Sequence, residues 1–160
     1  MKRLAALIVA VVAGVSVPSA AAAYNAEISL SIGEGVYFVK GDALRGPISL
    51  ELVPSFGWKW FKFDLGLYAT LEELRSADRD FIFRPGARLT PPVIPLYLRA
   101  AFPLTVTHGF DWGFMAGLGV DFFILRPLGI FLEADTFITR DGNWGDVVPL
   151  EFRLGAKLAF

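Results

Sequence analysis

The stretch LEFRLGAKLAF at residues 150–160 alternates large apolar side chains with charged or small ones. Its apolar set consists of Leu150, Phe152, Leu154, Leu158 and Phe160. The positions between them include Glu151, Arg153 and Lys157. Because successive side chains of a β-strand point to opposite faces, this pattern predicts a strand with one apolar and one charged face.

Six further segments repeat this alternation over about ten residues each, and we expect each of them to form a strand. They begin near residues 48, 61, 80, 95, 112 and 129. The seven segments hold 13 charged residues, and all 13 fall on the non-apolar face of their own strand. They are Glu51, Lys62, Asp64, Asp80, Arg84, Arg88, Arg99, Asp121, Glu133, Asp135, Glu151, Arg153 and Lys157.

An eighth segment, which precedes the others, is less regular. Residues 28–32 alternate as expected, but Glu34 then falls at an apolar position between Gly33 and Gly35. Glycines inside a strand pattern often mark a bulge. We therefore expect a Gly-Glu-Gly bulge that resets the phase of this first strand.

The connections between the segments fall into two classes that alternate along the chain. Short ones lie near residues 57–60, 90–95 and 125–129, and longer ones lie near residues 40–47, 70–79, 106–111 and 139–146. This alternation predicts an antiparallel up-and-down meander with its short turns at one end.

The N-terminal residues have the organisation of a secretory signal peptide. Lys2 and Arg3 precede an apolar run at residues 4–15, and small residues follow up to Ala23. The alternative is a membrane anchor, but the apolar run of about 12 residues is shorter than the ~20 that a spanning helix needs. We expect cleavage after Ala21 or Ala23, with residues 1–23 as the signal peptide and a single β-barrel domain at residues 24–160.

Composition excludes several classes of function. Removal of Lys2 and Arg3 lowers the formal net charge from −1 to −3, so the chain has no basic surface for nucleic acid. It has no cysteine and one histidine, which excludes disulfides, thiol chemistry and sites with several histidine ligands. We expect no metal and no cofactor.

Alternation alone serves a soluble barrel as well as a membrane barrel, so other features must decide which face meets water. The apolar face is rich in Phe and Leu, which would overfill a lumen closed by eight strands. The charged face balances six basic against seven acidic residues, which can pair across a narrow interior. Tryptophan lies only at segment ends, where it can sit at the membrane interface, at Trp58, Trp60, Trp112 and Trp144.

These features together resemble the small bacterial outer-membrane barrels of the OmpA, OmpX and OmpW type. The resemblance implies an all-β fold, a single eight-stranded antiparallel transmembrane barrel with a charged interior and an apolar exterior facing outer-membrane lipids. It also implies that the barrel-assembly machinery recognises the last strand through Phe152, Leu154, Leu158 and Phe160.

For function, we expect a structural or interaction role with a lumen filled by side chains. The alternative is a narrow pore or a binding site for small apolar molecules, as in OmpW-type barrels. A secreted lipocalin-like binder remains a further alternative. Some barrels of the family that this chain resembles are lipid-modifying enzymes. The residue types of a nucleophilic site are present in two loops, one with Thr107, His108 and Asp111 and another with Ser76. A solvated loop histidine explains His108 equally well, and the protein partner stays open.

Overall fold

A computed structural model describes residues 26–39, 41–58, 60–75, 81–91, 93–105, 110–125, 127–139 and 147–160. Its elements, in chain order, are β1 (Ala26–Val39), β2 (Asp42–Gly57), β3 (Phe61–Thr70), α1 (Leu71–Arg75), β4 (Ile82–Leu89), β5 (Leu96–Ala101), β6 (Leu104–Thr105), β7 (Asp111–Leu125), β8 (Leu128–Thr139) and β9 (Val147–Ala159). Within the described ranges, no helix is long and apolar enough to cross a bilayer.

The strands close into a ring of eight antiparallel positions. From β1 to β5 each strand pairs with the next in sequence, β5 pairs with β7, β7 with β8, and β8 with β9. β9 pairs with β1, so the described strands form a closed ring. The short strands β5 and β6 both pair with β4 and β7, and they occupy one position in the ring. They are separated at Phe102 and Pro103, because a proline has no N–H to donate to the ladder. The expected eight-stranded up-and-down barrel is confirmed.

The alternation of side chains follows the predicted phase. Outward positions such as Leu30 and Leu154 are 57% and 54% exposed, whereas the adjacent inward side chains are buried. The charged residues of the strands are among the buried ones, as in Glu51, Asp64 and Arg153. The predicted charged interior and apolar exterior are thus confirmed, and this distribution is the reverse of that in a soluble barrel.

The two ends of the barrel differ. Phe160 N donates a hydrogen bond to Ala26 O at 2.8 Å, so both ends of the described chain lie at the end that carries the short turns. The opposite end, here called the loop end, carries the connections expected to be longer. One of those expectations was wrong, because β2 already begins at Asp42 and only residues 40–41 separate it from β1. Gly41, with φ at 96°, supplies the left-handed conformation that such a tight hairpin requires.

The expected irregularity near Glu34 is present, but its position differs from the prediction. β1 pairs with β9 without interruption from Glu27 to Val39, so β1 keeps its phase. The register shift lies between β1 and β2, where Gly46 and Pro47 together oppose Gly35. The extra residue therefore belongs to β2, which is the bulged strand.

Helix α1 was expected to be loop and forms at the loop end directly after β3. Glu73 N donates to Thr70 Oγ1 at 3.2 Å, and Thr70 N donates to Glu73 Oε2 at 2.7 Å. This reciprocal pair is a capping box, which satisfies two backbone donors at the start of a helix. It holds the acidic side chains of α1 over the opening of the barrel.

Candidate functional site

The barrel interior is filled by ionised side chains arranged in layers between the two ends. The described part of the chain buries six basic and seven acidic residues there, at Glu27, Glu51, Lys62, Asp64, Arg84, Arg88, Arg99, Asp121, Glu133, Asp135, Glu151, Arg153 and Lys157. Burial of so many charges is tolerable only where each finds partners, because the desolvation of a lone ion costs several kcal/mol.

Glu27 organises the layer nearest the short-turn end. Its carboxylate accepts hydrogen bonds from Lys62 Nζ and from Arg88 Nη1, each at 2.6 Å. Lys157 Nζ lies 3.9 Å from the same carboxylate and forms a closer ion pair with Asp121. Four strands, β1, β3, β4 and β9, are thereby linked across the lumen to one acidic group.

Two arginines, Arg99 of β5 and Arg153 of β9, occupy the middle layer. Arg99 Nη2 donates to Glu51 Oε1 at 2.8 Å, and its Nη1 donates to Glu133 Oε1 at 3.0 Å. Arg99 Nε lies 3.2 Å from Asp64 Oδ2.

Arg153 comes from β9, three strand positions from β5 in the ring, and shares two of these carboxylates. It pairs with Glu51, and its Nη1 lies 3.3 Å from Glu133 Oε1. Its Nη2 reaches Glu151 at 2.7 Å and Asp135 at 3.1 Å. The two guanidinium groups and their acids thus form a continuous ionic plug between the two halves of the barrel.

Arg84 forms the uppermost basic group and is less well satisfied than the arginines below it. Its guanidinium carbon lies 3.4 Å from the centre of the Tyr68 ring. Its nearest ion pair, to Glu151, is 3.6 Å long, and its Nη1 lies 3.7 Å from the sulfur of Met115. Among the described residues, Arg84 Nε has no hydrogen-bond partner.

Glycines make room for the largest interior side chains. A Cβ on Gly119 would collide with the ring of Tyr97, and a Cβ on Gly117 would collide with the carboxylate of Asp135. Tyr97 is 1% exposed and packs with its ring near the guanidinium of Arg88. Gly117 and Gly119 of β7 therefore permit a packed lumen.

Above Arg84, a cavity of about 400 Å³ opens toward the loop end. Tyr68 and Phe137 contribute aromatic surface to it, and Arg84 lies among its lining residues. Glu72 and Glu73 of α1 and Asp111 at the start of β7 add carboxylates. We call this cavity the vestibule, and the ionic layers lie beneath it.

The sequence predicted thirteen charges on the inner faces of the seven later segments. Twelve of them lie buried in the lumen, and the thirteenth, Asp80, lies outside the described residues. Sequence reasoning missed Glu27 as a member of this set. The signal was present, because Glu27 alternates with Ile28 and Leu30, but the irregular phase after Ile32 kept this strand out of the count.

The aromatic and terminal residues lie on the outside. Trp58 and Trp60 are exposed at the short-turn end, Trp112 is exposed at the loop end, and Trp144 lies outside the described residues. Phe152, Leu154, Leu158 and Phe160 are exposed on the outer side of the chain's last segment.

Of the four residues considered for catalysis, the structure describes only Asp111. Ser76, Thr107 and His108 lie outside the described residues. Asp111 is exposed, and its Oδ1 accepts a hydrogen bond from Trp112 N at 2.8 Å. The catalytic hypothesis therefore stays untested.

No family model matches the chain, and no curated protein sequence is significantly similar to it. Solved structures do match. Neisserial surface protein A aligns with a TM-score of 0.56 at 12% identity, covering 84% of this chain and 97% of that one. The attachment invasion locus protein Ail of Yersinia pestis, solved with the heparin analogue sucrose octasulfate, aligns with a TM-score of 0.54 at 14% identity. This alignment covers 86% of this chain and 99% of Ail.

A designed barrel, TMB2.3, gives a TM-score of 0.56 at 11% identity, covering 86% of this chain and 94% of the designed one. At these identities the likeness establishes the fold and leaves the activity open. A closed ring of eight strands, an ionised interior and an apolar exterior agree with this likeness. The chain therefore has the fold of the small eight-stranded outer-membrane β-barrels.

Proposed function

We propose that this protein is a bacterial outer-membrane barrel with a sealed lumen and a structural or interaction role, neither a diffusion channel nor an enzyme. The observation that carries this proposal is the ionic plug formed by Arg99 and Arg153 with their shared carboxylates. A channel for hydrated solutes needs a water-filled path, and eight strands leave an interior that side chains can fill.

The outer wall supports a location in lipid. Large apolar side chains are exposed around the ring, from Leu30 on β1 to Leu132 on β8 and Leu154 on β9. In water this surface would far exceed the few hundred Å² of contiguous apolar area that soluble proteins usually expose. Acyl chains of the membrane remove it from water, so outer-membrane lipids are the expected partners.

The last strand supports the proposed route of assembly. β9 closes the ring by pairing with β1, and Phe152, Leu154 and Leu158 point outward from it. An outward apolar face on the closing strand is available to another protein before closure. We propose that the barrel-assembly machinery binds this face.

Conductance in planar bilayers tests the sealed lumen. Purified protein is refolded, its insertion is verified by heat-modifiable gel migration, and current is recorded in concentrated KCl. We expect no stable steps from the wild-type protein. As a matched control, an Arg99→Ala/Arg153→Ala variant removes both cations of the plug and is expected to give small steps if it inserts. Stable single-channel steps from the wild-type protein would contradict the proposal of a sealed lumen and support the alternative of a narrow pore.

A further inference from the structure

The vestibule differs from the lumen beneath it because its floor is an arginine with unused hydrogen-bonding capacity. Arg99 makes charge-assisted hydrogen bonds at 2.8, 3.0 and 3.1 Å. Arg84 is 3% exposed, yet its closest carboxylate is 3.6 Å away. Among the described residues its Nε has no hydrogen-bond partner, which is also true of Arg99 Nε and Arg153 Nε, so the distance to the nearest carboxylate is what sets Arg84 apart. A buried guanidinium whose acceptors are a thioether sulfur and a carboxylate 3.6 Å away carries a desolvation cost that a closer bound anion would reduce.

The shape of the space above Arg84 limits the size of such an anion. The vestibule has a volume of about 400 Å³, within the range of small-molecule sites and toward its lower end. Tyr68 stacks on the Arg84 guanidinium, and Ile82 and Phe137 add apolar surface. The body of the ligand therefore has to be compact and aromatic or aliphatic.

The charges of the lining limit the number of negative groups. Arg84 is accompanied in the lining by three carboxylates, those of Glu72, Glu73 and Asp111. Two of these already accept backbone hydrogen bonds, from Thr70 N and Trp112 N. A second negative group on the ligand would lie among these acids, where like charges repel.

We propose that the vestibule binds a small monocarboxylate with an aromatic or aliphatic body, whose carboxylate bonds to Arg84. The two carboxylate oxygens match the fork of donors that a guanidinium presents, and Arg84 itself is 3% exposed, so that a bond to it is less weakened by water than one at the surface. This inference goes beyond the sealed lumen proposed above, since a ligand in the vestibule need not pass the ionic plug.

Three probes with similar aromatic bodies separate the effect of charge from that of the apolar body. They are the anionic 3-phenylpropionate, the neutral 3-phenylpropanol and the cationic 2-phenylethylamine. Binding to the refolded protein in detergent micelles is measured by ligand-observed NMR, with protein-free micelles as the baseline. We expect 3-phenylpropionate to bind at least about tenfold more tightly than the other two, which is the contribution of a charge-assisted hydrogen bond.

Variants place the site on the molecule. Arg84→Gln is expected to weaken 3-phenylpropionate by at least about tenfold, and Ile82→Trp to abolish binding by filling the space above Arg84. Arg45→Gln is the matched control, because Arg45 is an exposed arginine paired with Glu34 on the outer wall. It is expected to leave binding unchanged. Heat-modifiable migration verifies that each variant is folded.

The proposal is overturned if the three probes bind equally, if 3-phenylpropionate does not bind up to about 10 mM, or if folded Arg84→Gln binds it like the wild-type protein. If Arg84→Gln fails to fold, the three probes on the wild-type protein and the Ile82→Trp variant still decide the question. Planar-bilayer conductance is independent of all these outcomes, so the vestibule and the sealed lumen fail or stand separately.

Discussion

Arg153 is the residue whose loss should most clearly reveal whether the interior is dry. In an Arg153→Met variant the methionine fills similar space but brings no charge. Asp135 then loses its only ion pair among the described residues, and Glu151 keeps the 3.6 Å ion pair to Arg84 and the hydrogen bond from Ser49 Oγ. Removal of one partner from a buried ion pair typically costs about 3–5 kcal/mol, because the other charge stays buried and unpaired.

The same substitution at Arg45 provides the scale for this effect. Arg45 pairs with Glu34 on the outside of the barrel, where the two side chains are 73% and 44% exposed. Exposed pairs contribute about 0–1 kcal/mol, so Arg45→Met should have little effect. In a double variant, Asp135→Asn should recover part of the loss caused by Arg153→Met, since it removes a carboxylate that no longer has a partner.

Equilibrium unfolding in urea, with the barrel refolded into phospholipid vesicles, measures these differences. Tryptophan fluorescence follows the transition, and heat-modifiable migration of samples across the urea series gives an independent measure of the folded fraction. Similar losses of less than about 1 kcal/mol for Arg153→Met and Arg45→Met would mean that water hydrates the carboxylates of the lumen. In that case the ionic plug would not seal the barrel.

Three other predictions concern orientation, packing and assembly. The chain has no cysteine, so a single spin label can be attached at Leu118→Cys or at Gly41→Cys in the hairpin. The label at Leu118 should be relaxed by oxygen more than by a water-soluble nickel complex, and the label at Gly41 should show the reverse. Water-like accessibility at Leu118 would mean that the barrel is inside out. Gly119→Ala should lower the free energy of unfolding by about 1–3 kcal/mol in the same urea assay, because the added methyl group overpacks the lumen. Gly35→Ala, whose nearest contact would be 3.6 Å away, should lower it by less. Equal losses for the two variants would contradict a packed lumen. Phe160→Ala should slow folding by purified assembly machinery while leaving spontaneous refolding into detergent unchanged; equal slowing of both would assign Phe160 to barrel stability alone.

Alternation located the membrane-spanning parts of the strands correctly, because contact with lipid on one face requires an apolar side chain at every second position. From Phe61 to Leu67, every second side chain must be apolar to face lipid, and the sequence obeys this rule. The start of β2 was misplaced because residues 42–46 are largely polar or small and resemble a loop. They are held in the ladder by pairing with β1, as in Val39 opposite Asp42, and pairing between strands is not visible in a local pattern.

The candidate site was predicted as a set of residues but not as a set of contacts. Alternation placed Arg99 and Glu51 on the inner face, yet these residues are 48 positions apart in sequence. Their bond depends on how far each strand is shifted along the next around the ring. The incomplete coordination of Arg84, and the vestibule above it, arise from the same shifts and carry no sequence signal of their own.

The side-chain period of two is a property of the single chain, and it specified the strands and which residues share a face. The bulk of the apolar face and the balance of the charged face, which are also readable from the sequence, then assigned the first to lipid and the second to the lumen. Register, closure and the bulge at Gly46 and Pro47 depend on hydrogen bonds between distant segments. Those bonds set the height of every inward side chain. Only in the closed barrel, therefore, do the buried charges acquire partners, and only there does Arg84 come to lie beneath an open cavity.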